Sequence, residues 1–152
     1  KELLETAKRK TSLKLVLELK AHSKPEREIK AVEEIVSMIK KMGLEPRMIY
    51  ITFSSHALKE LIRQAPTSTP VYYLKGDLSP QQLKELGSAG PDYHFSEFYR
   101  YTDWIESCHA LGLKVNVWTV NKKEDMQYFW DKVDFITTDE PLGLLKDIMK
   151  VK

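Results

Sequence analysis

Hydrophobic positions along this chain follow two alternating rhythms. Short runs with apolar residues at every second place are separated by longer stretches in which they recur every three or four, the signatures of strand and helix. The strand-like runs are Leu15–Leu19, Met48–Phe53, Val71–Leu74, Lys114–Trp118 and Val133–Thr137. After the first run, Ile29, Val32, Ile35, Val36, Ile39 and Met42 share one helical face, and Gly43 supplies a left-handed stop. Ser23-Lys24-Pro25-Glu26 predicts a capping box ahead of that helix, with the hydroxyl and the carboxylate each satisfying an orphan N–H. Ser54 or Ser55 opens the next helix, which carries Leu58, Leu61 and Ile62. Ser79-Pro80-Gln81-Gln82 repeats the capping pattern, with proline in the first turn where its missing donor is harmless. Thr102 and Asn121, the latter with Glu124 at the box position, start two more helices. A last one begins near Pro141 and carries Leu142, Leu145 and Ile148.

The order is α-β-α-β-α-β-α-β-α-β-α, which means parallel strands joined by crossover helices, an α/β fold. The parity of two strands narrows the architecture. Leu13, Leu15, Leu17 and Leu19 fall on one face, while Lys14, Val16, Glu18 and Lys20 fall on the other; Val115 and Val117 likewise oppose Lys114, Asn116 and Trp118. Central strands of a doubly wound sheet are apolar on both faces. A (β/α)₈ barrel instead lets the inner face turn polar toward the C-terminal strand ends, and an amphipathic edge strand is the plainer alternative for either strand alone. Such a barrel takes about 250 residues and eight βα units, whereas this chain has 152 residues and about five readable strands. The expectation is a partial TIM barrel, residues 1–152 being the C-terminal part of one domain with the other units upstream.

Charge and composition trim the functions. Lys and Arg number 24 against 22 Asp and Glu, a net charge of +2 that lacks the basic excess of a nucleic-acid binder. No apolar run approaches the roughly 18 residues of a membrane span. The single cysteine, Cys108, excludes an internal disulfide and a multi-cysteine zinc site, and leaves the compartment open. It lies on the apolar face of the Ile105–Leu111 helix and reads as a small buried residue.

Four strings, in order, resemble one enzyme family. Leu17-Glu18-Leu19-Lys20 is similar to its Glu-x-Lys strand. Ile51-Thr52-Phe53-Ser54 is similar to its Ser-Phe strand end, with Thr52 where serine is usual. Gly112-Leu113-Lys114-Val115-Asn116-Val117-Trp118-Thr119-Val120-Asn121 is similar to its Gly-Leu-x-Val-x-Val-Trp-Thr-Val-Asn segment. Asp134-Phe135-Ile136-Thr137-Thr138-Asp139-Glu140-Pro141 is similar to its closing Asp-x-Ile-x-Thr-Asp-x-Pro segment. The chain thus resembles the glycerophosphodiester phosphodiesterases, TIM-barrel enzymes that hydrolyse glycerophosphodiesters to an alcohol and glycerol 3-phosphate. Missing from the chain are the family's His-Arg-Gly strand, its Glu-x-Asp pair and its later His-Asp. The resemblance therefore places the catalytic histidines and two of three metal carboxylates upstream, and implies that this fragment alone is inactive.

The same resemblance assigns the remaining roles. Glu18 becomes a carboxylate ligand of one divalent cation, Ca²⁺ or Mg²⁺, both of which take oxygen donors. Lys20, two places on, becomes a phosphate contact, and Trp118 a wall against the glycerol moiety, with Phe53 a possible second wall. Asn116 reads as a hydrogen-bonding core residue, and Asp139 and Asn121 read as helix caps. His22, His56, His94 and His109 match no catalytic position of the family and form no i, i+4 metal pair. The partner is a small-molecule glycerophosphodiester. The rival reading is a non-catalytic barrel-derived module that binds phosphate or glycerol.

Overall fold

The computed structural model of the chain describes residues 2–10, 12–143 and 146. Its elements in chain order are α1 (Glu2–Lys10), β1 (Leu15–Leu19), α2 (Pro25–Met42), β2 (Met48–Thr52), α3 (Ser55–Gln64), β3 (Val71–Tyr73), α4 (Pro80–Leu86), β4 (Gly90–His94), α5 (Phe95–Arg100), α6 (Trp104–Ala110), β5 (Asn116–Trp118), α7 (Lys123–Phe129) and β6 (Phe135–Ile136). Residues 141–143 are helical as well, while Leu145 and Ile148 of the expected last helix lie outside the described residues. Strands and helices alternate and the pairings are parallel, so the chain is α/β as its periodicity predicts. The backbone divides into two compact units, residues 1–75 with 86–88, and residues 76–85 with 89–152. Among the described residues no helix is long and apolar enough to cross a membrane.

In the first unit β1, β2 and β3 pair in order, with Leu15 opposite Met48, Leu19 opposite Thr52 and Tyr50 opposite Val71. This register puts the β1 leucines, Met48, Tyr50, Thr52, Val71 and Tyr73 on one face. Leu19, Met48, Tyr50, Val71 and Tyr73 are buried together with Val32 and Ile39 of α2 and Leu58 and Leu61 of α3. Each apolar side chain withdrawn from water favours folding by about 1.5–3 kcal/mol, and a slip of one residue would reverse the faces. The other face carries Val16, Glu18, Ile49 and Ile51, and Val16 is 58% exposed. The first strand therefore has the asymmetry read from its sequence.

The capping box expected at Ser23-Lys24-Pro25-Glu26 does not form. Lys24 is the N-cap residue, without a side-chain bond, and Pro25 sits in the first turn. The carboxylate that reaches back is Glu28, which accepts from the His22 N–H at 2.9 Å. Both expected bonds do form before α4, where Gln82 N donates to Ser79 Oγ and Ser79 N donates to Gln82 Oε1.

In the second unit β4, β5 and β6 pair in order, with Asp92 opposite Asn116, His94 opposite Trp118 and Val117 opposite Ile136. Asp92, His94, Asn116 and Trp118 share one face. Tyr93 and Val117 lie on the other, buried like Phe98, Ile105, Cys108, Met126 and Phe129 of the helices. Here the expectation of about five strands is corrected to six among the described residues, because β4 was not counted as a strand. It opens with Gly90-Pro91, which in sequence looks like a turn. The glycine is there for a close approach: at φ +146, a Cβ on Gly90 would lie 1.9 Å from the Lys114 carbonyl oxygen.

Candidate active site

The first unit gathers part of the expected site at the C-terminal end of β1. Glu18 and Lys20 project from the same face, two residues apart, and form an ion pair with 2.7 Å between Nζ and Oε1. The lysine side chain is largely in water at 77% exposure, and the glutamate is mostly covered at 27%. Oε1 itself is shielded from solvent and accepts no hydrogen bond among the described residues, so the ammonium approach is its one compensation. Phe53, just past the end of β2, is 38% exposed.

Thr52, at the family's serine position, is fully buried. Its hydroxyl donates to the Leu19 carbonyl at 2.9 Å and accepts from the Ser54 N–H at 3.1 Å. One side chain therefore ties the end of β1 to the turn that leads into α3. A second tie, which sequence reasoning missed, is Glu28. Its carboxylate is 2% exposed and takes the His22 N–H, the Ser54 hydroxyl at 2.9 Å and the His56 ring Nδ1 at 3.0 Å. Burial alone would raise this carboxyl's pKa. Those bonds and the His56 ring override it and hold the value below the ordinary carboxylate range. An acidic residue in a helix's first turn is so commonly a solvated dipole partner that nothing in the sequence marked this one. His22 contributes its backbone to the network and His56 its ring, both as struts for the loop after β1.

In the second unit the Trp118 indole Nε1 donates to the Asp92 carbonyl at 2.8 Å, which fixes the ring at the end of β5. The His94 ring stands edge-on to it, with 5.1 Å between ring centres. Asn116, one layer deeper, donates to Thr137 Oγ1 at 3.3 Å, the hydrogen-bonding place expected of it. The cap expectation for Asn121 is corrected, since Lys122 is the N-cap of α7. Asn121 instead accepts from the Thr138 hydroxyl and the Asp139 N–H, and donates to the Asp139 carboxylate at 2.8 Å. Asp139 is thus half of a clasp between the loops after β5 and β6 rather than a free cap. His109 is engaged structurally with Asp134, 3.1 Å away, and Asp134 also accepts from Val115 N–H. Cys108 is fully buried, and burial pushes its thiol up to about 12.

Of the donors expected for a divalent cation, the described residues of this chain supply Glu18. The covered Oε1 of Glu18, met by the Lys20 ammonium alone, is a suitable hard oxygen, but the described residues hold no cluster of three carboxylates, imidazoles or thiols.

Comparison with known proteins agrees with the four strings. The model of the glycerophosphoryl diester phosphodiesterase family matches residues 1–142. A glycerophosphodiester phosphodiesterase of Caldanaerobacter subterraneus subsp. tengcongensis is 30% identical over 123 residues, covering 78% of this chain and 49% of that protein. The chain thus spans about half the length of that curated relative. A crystal structure of a glycerophosphodiester phosphodiesterase from Parabacteroides distasonis is similar with a TM-score of 0.92 and 43% identity, over 97% of this chain and 62% of the other. At 19% identity an Oleispira antarctica phosphodiesterase, solved with its product sn-glycerol-3-phosphate, shares the fold with a TM-score of 0.66, over 89% of this chain and 56% of the other.

Proposed function

The chain belongs to the glycerophosphoryl diester phosphodiesterase family, and from that premise we propose that it is the C-terminal part of a TIM-barrel enzyme that hydrolyses glycerophosphodiesters to an alcohol and glycerol 3-phosphate. One observation carries the reading: at the C-terminal end of β1, a covered carboxylate oxygen is met only by an exposed ammonium two residues on, among the described residues. A covered carboxylate is costly without a cation beside it. Lys20 supplies that charge here, and a bound metal would supply it when the lysine turns to a phosphate. The pair also stands at the strand end where barrel enzymes place their chemistry.

Glu18 would give one oxygen to a bound Ca²⁺ or Mg²⁺, an ion that would supply positive charge against the phosphate. Lys20 contacts a phosphate oxygen and stabilises the negative charge that grows there. Its stem is free to swing from Glu18 toward the phosphate, since it is mostly in water. Trp118, held rigid by Asp92, presents an aromatic wall to the glycerol moiety, and Phe53 is a second apolar wall. Acid/base histidines and further carboxylates belong to the family segments that this sequence lacks.

The test is to assay glycerophosphocholine and bis(p-nitrophenyl) phosphate with the 152-residue chain and with a full-length chain side by side. Metal-dependent turnover is expected only from the longer chain, and turnover by the shorter one would refute the division of labour. In the longer chain Glu18→Gln should abolish metal stimulation and weaken Mg²⁺ or Ca²⁺ binding in calorimetric titration. Wild-type binding and rates would remove Glu18 from the site.

A further inference from the structure

The strand missed in sequence ends on an imidazole that none of the roles above uses. His94 is the last residue of β4, opposite Trp118 in the register and on the same face, half-buried, with the two rings edge to face at 5.1 Å. Its ring is held on one side by Ser96, whose backbone N–H lies 3.3 Å and whose hydroxyl lies 2.8 Å from Nδ1. A backbone N–H can only donate, so Nδ1 accepts and the neutral ring carries its proton on Nε2. Phe95, 4.2 Å away between ring centres, packs against the imidazole from its other neighbour in sequence. The ring is thus fixed in position and in tautomer, and no described residue accepts from Nε2. A donor prepared this way discriminates between ligands, because it rewards an acceptor placed opposite it and penalises an apolar group.

We propose that His94 is a specificity-determining residue whose Nε2–H donates to a hydroxyl oxygen of the glycerol moiety lying against Trp118. The assignment rests on the function proposed above and names the contact that tells a polyol ester from a plainer alkyl phosphodiester. The indole supplies a flat apolar surface that accepts either, so selection falls to the imidazole.

The experiment uses the full-length chain with two substrates, glycerophosphocholine and its analogue lacking the glycerol hydroxyl farthest from the phosphate. His94→Phe keeps a ring beside Trp118 and removes the donor, whereas His94→Gln restores an N–H. His94→Phe should raise KM for glycerophosphocholine about tenfold with kcat less affected, leave KM for the deoxy analogue within about twofold, and be partly rescued by His94→Gln. Equal losses on both substrates, or no loss on either, would overturn the proposal. If the wild-type chain does not hydrolyse glycerophosphocholine, the functional reading fails by itself. Calorimetric binding of glycerol 3-phosphate to wild type and His94→Phe then decides the contact: about tenfold weaker binding by the variant upholds it, and equal binding, or no binding by either, removes it.

Discussion

Glu28 has almost no contact with water yet stays charged, because three donors, from the loop after β1, the turn before α3 and α3 itself, converge on it. Its carboxyl is held below the ordinary value near 4.5 in the fold. The linkage follows from that direction: the stabilisation is fully present above the unfolded value, and is lost as pH falls through the lowered folded one. Glu28→Gln should cost about 1–3 kcal/mol at neutral pH and flatten the loss of stability below pH 4.5, both read from urea midpoints across a pH series. An unchanged acid limb in the variant would mean that other carboxylates govern it. Cys108 gives a second residue-scale test. With its thiol pushed up to about 12 by burial, it should resist iodoacetamide at pH 8 in the folded chain and react once urea is added. Rapid labelling of the native chain would show that α6 opens readily.

At the scale of elements, Gly90 joins β4 to β5. A methyl group there would meet the Lys114 carbonyl at 1.9 Å, and Lys114 N–H is bonded to the Ala89 carbonyl in the same pairing. Gly90→Ala should therefore destabilise by about 3 kcal/mol or more. Gly112→Ala, at φ +72 with open space around the added Cβ, should cost only the left-handed penalty of about 1–2 kcal/mol. Equal urea midpoints for the two variants would show that β4 and β5 separate to admit the methyl. The same glycine explains what was legible. Leucine parity revealed β1 and valine parity β5, because one face of each is committed to burial. For β4 the local signal was Gly-Pro, and the reason for it sits just ahead of another strand, 24 residues on, where no local pattern reaches. Caps divide the same way: Ser79 finds its partner three residues away and was readable, whereas Asn121 is satisfied by Thr138 and Asp139. Of the residues proposed for function, Glu18, Lys20 and Trp118 stand in distinctive strings of the sequence, while Glu28 and His94 acquire meaning only from neighbours brought in by the fold.

On the scale of the whole molecule, the edge of β1 poses a problem that the 152-residue chain must solve in solution. Among the described residues β1 pairs with β2 alone, and Val16 within it and Leu13 just ahead of it stand 58% and 70% exposed. An unpaired strand edge flanked by exposed apolar side chains is a template for another strand, and a net charge of +2 offers little repulsion between copies. In the proposed barrel a neighbouring upstream strand takes that place and the edge vanishes. The short chain should therefore self-associate in sedimentation velocity as its concentration rises. Val16→Lys should shift it toward monomer, since an edge lysine opposes strand addition. In the full-length chain the same substitution should instead reduce stability, because the face that carries Val16 would lie inside the closed barrel rather than in water. A short chain that stays monomeric at high concentration, with Val16→Lys neutral in both lengths, would mean that this edge needs no partner, and the barrel reading of the first unit would fall with it.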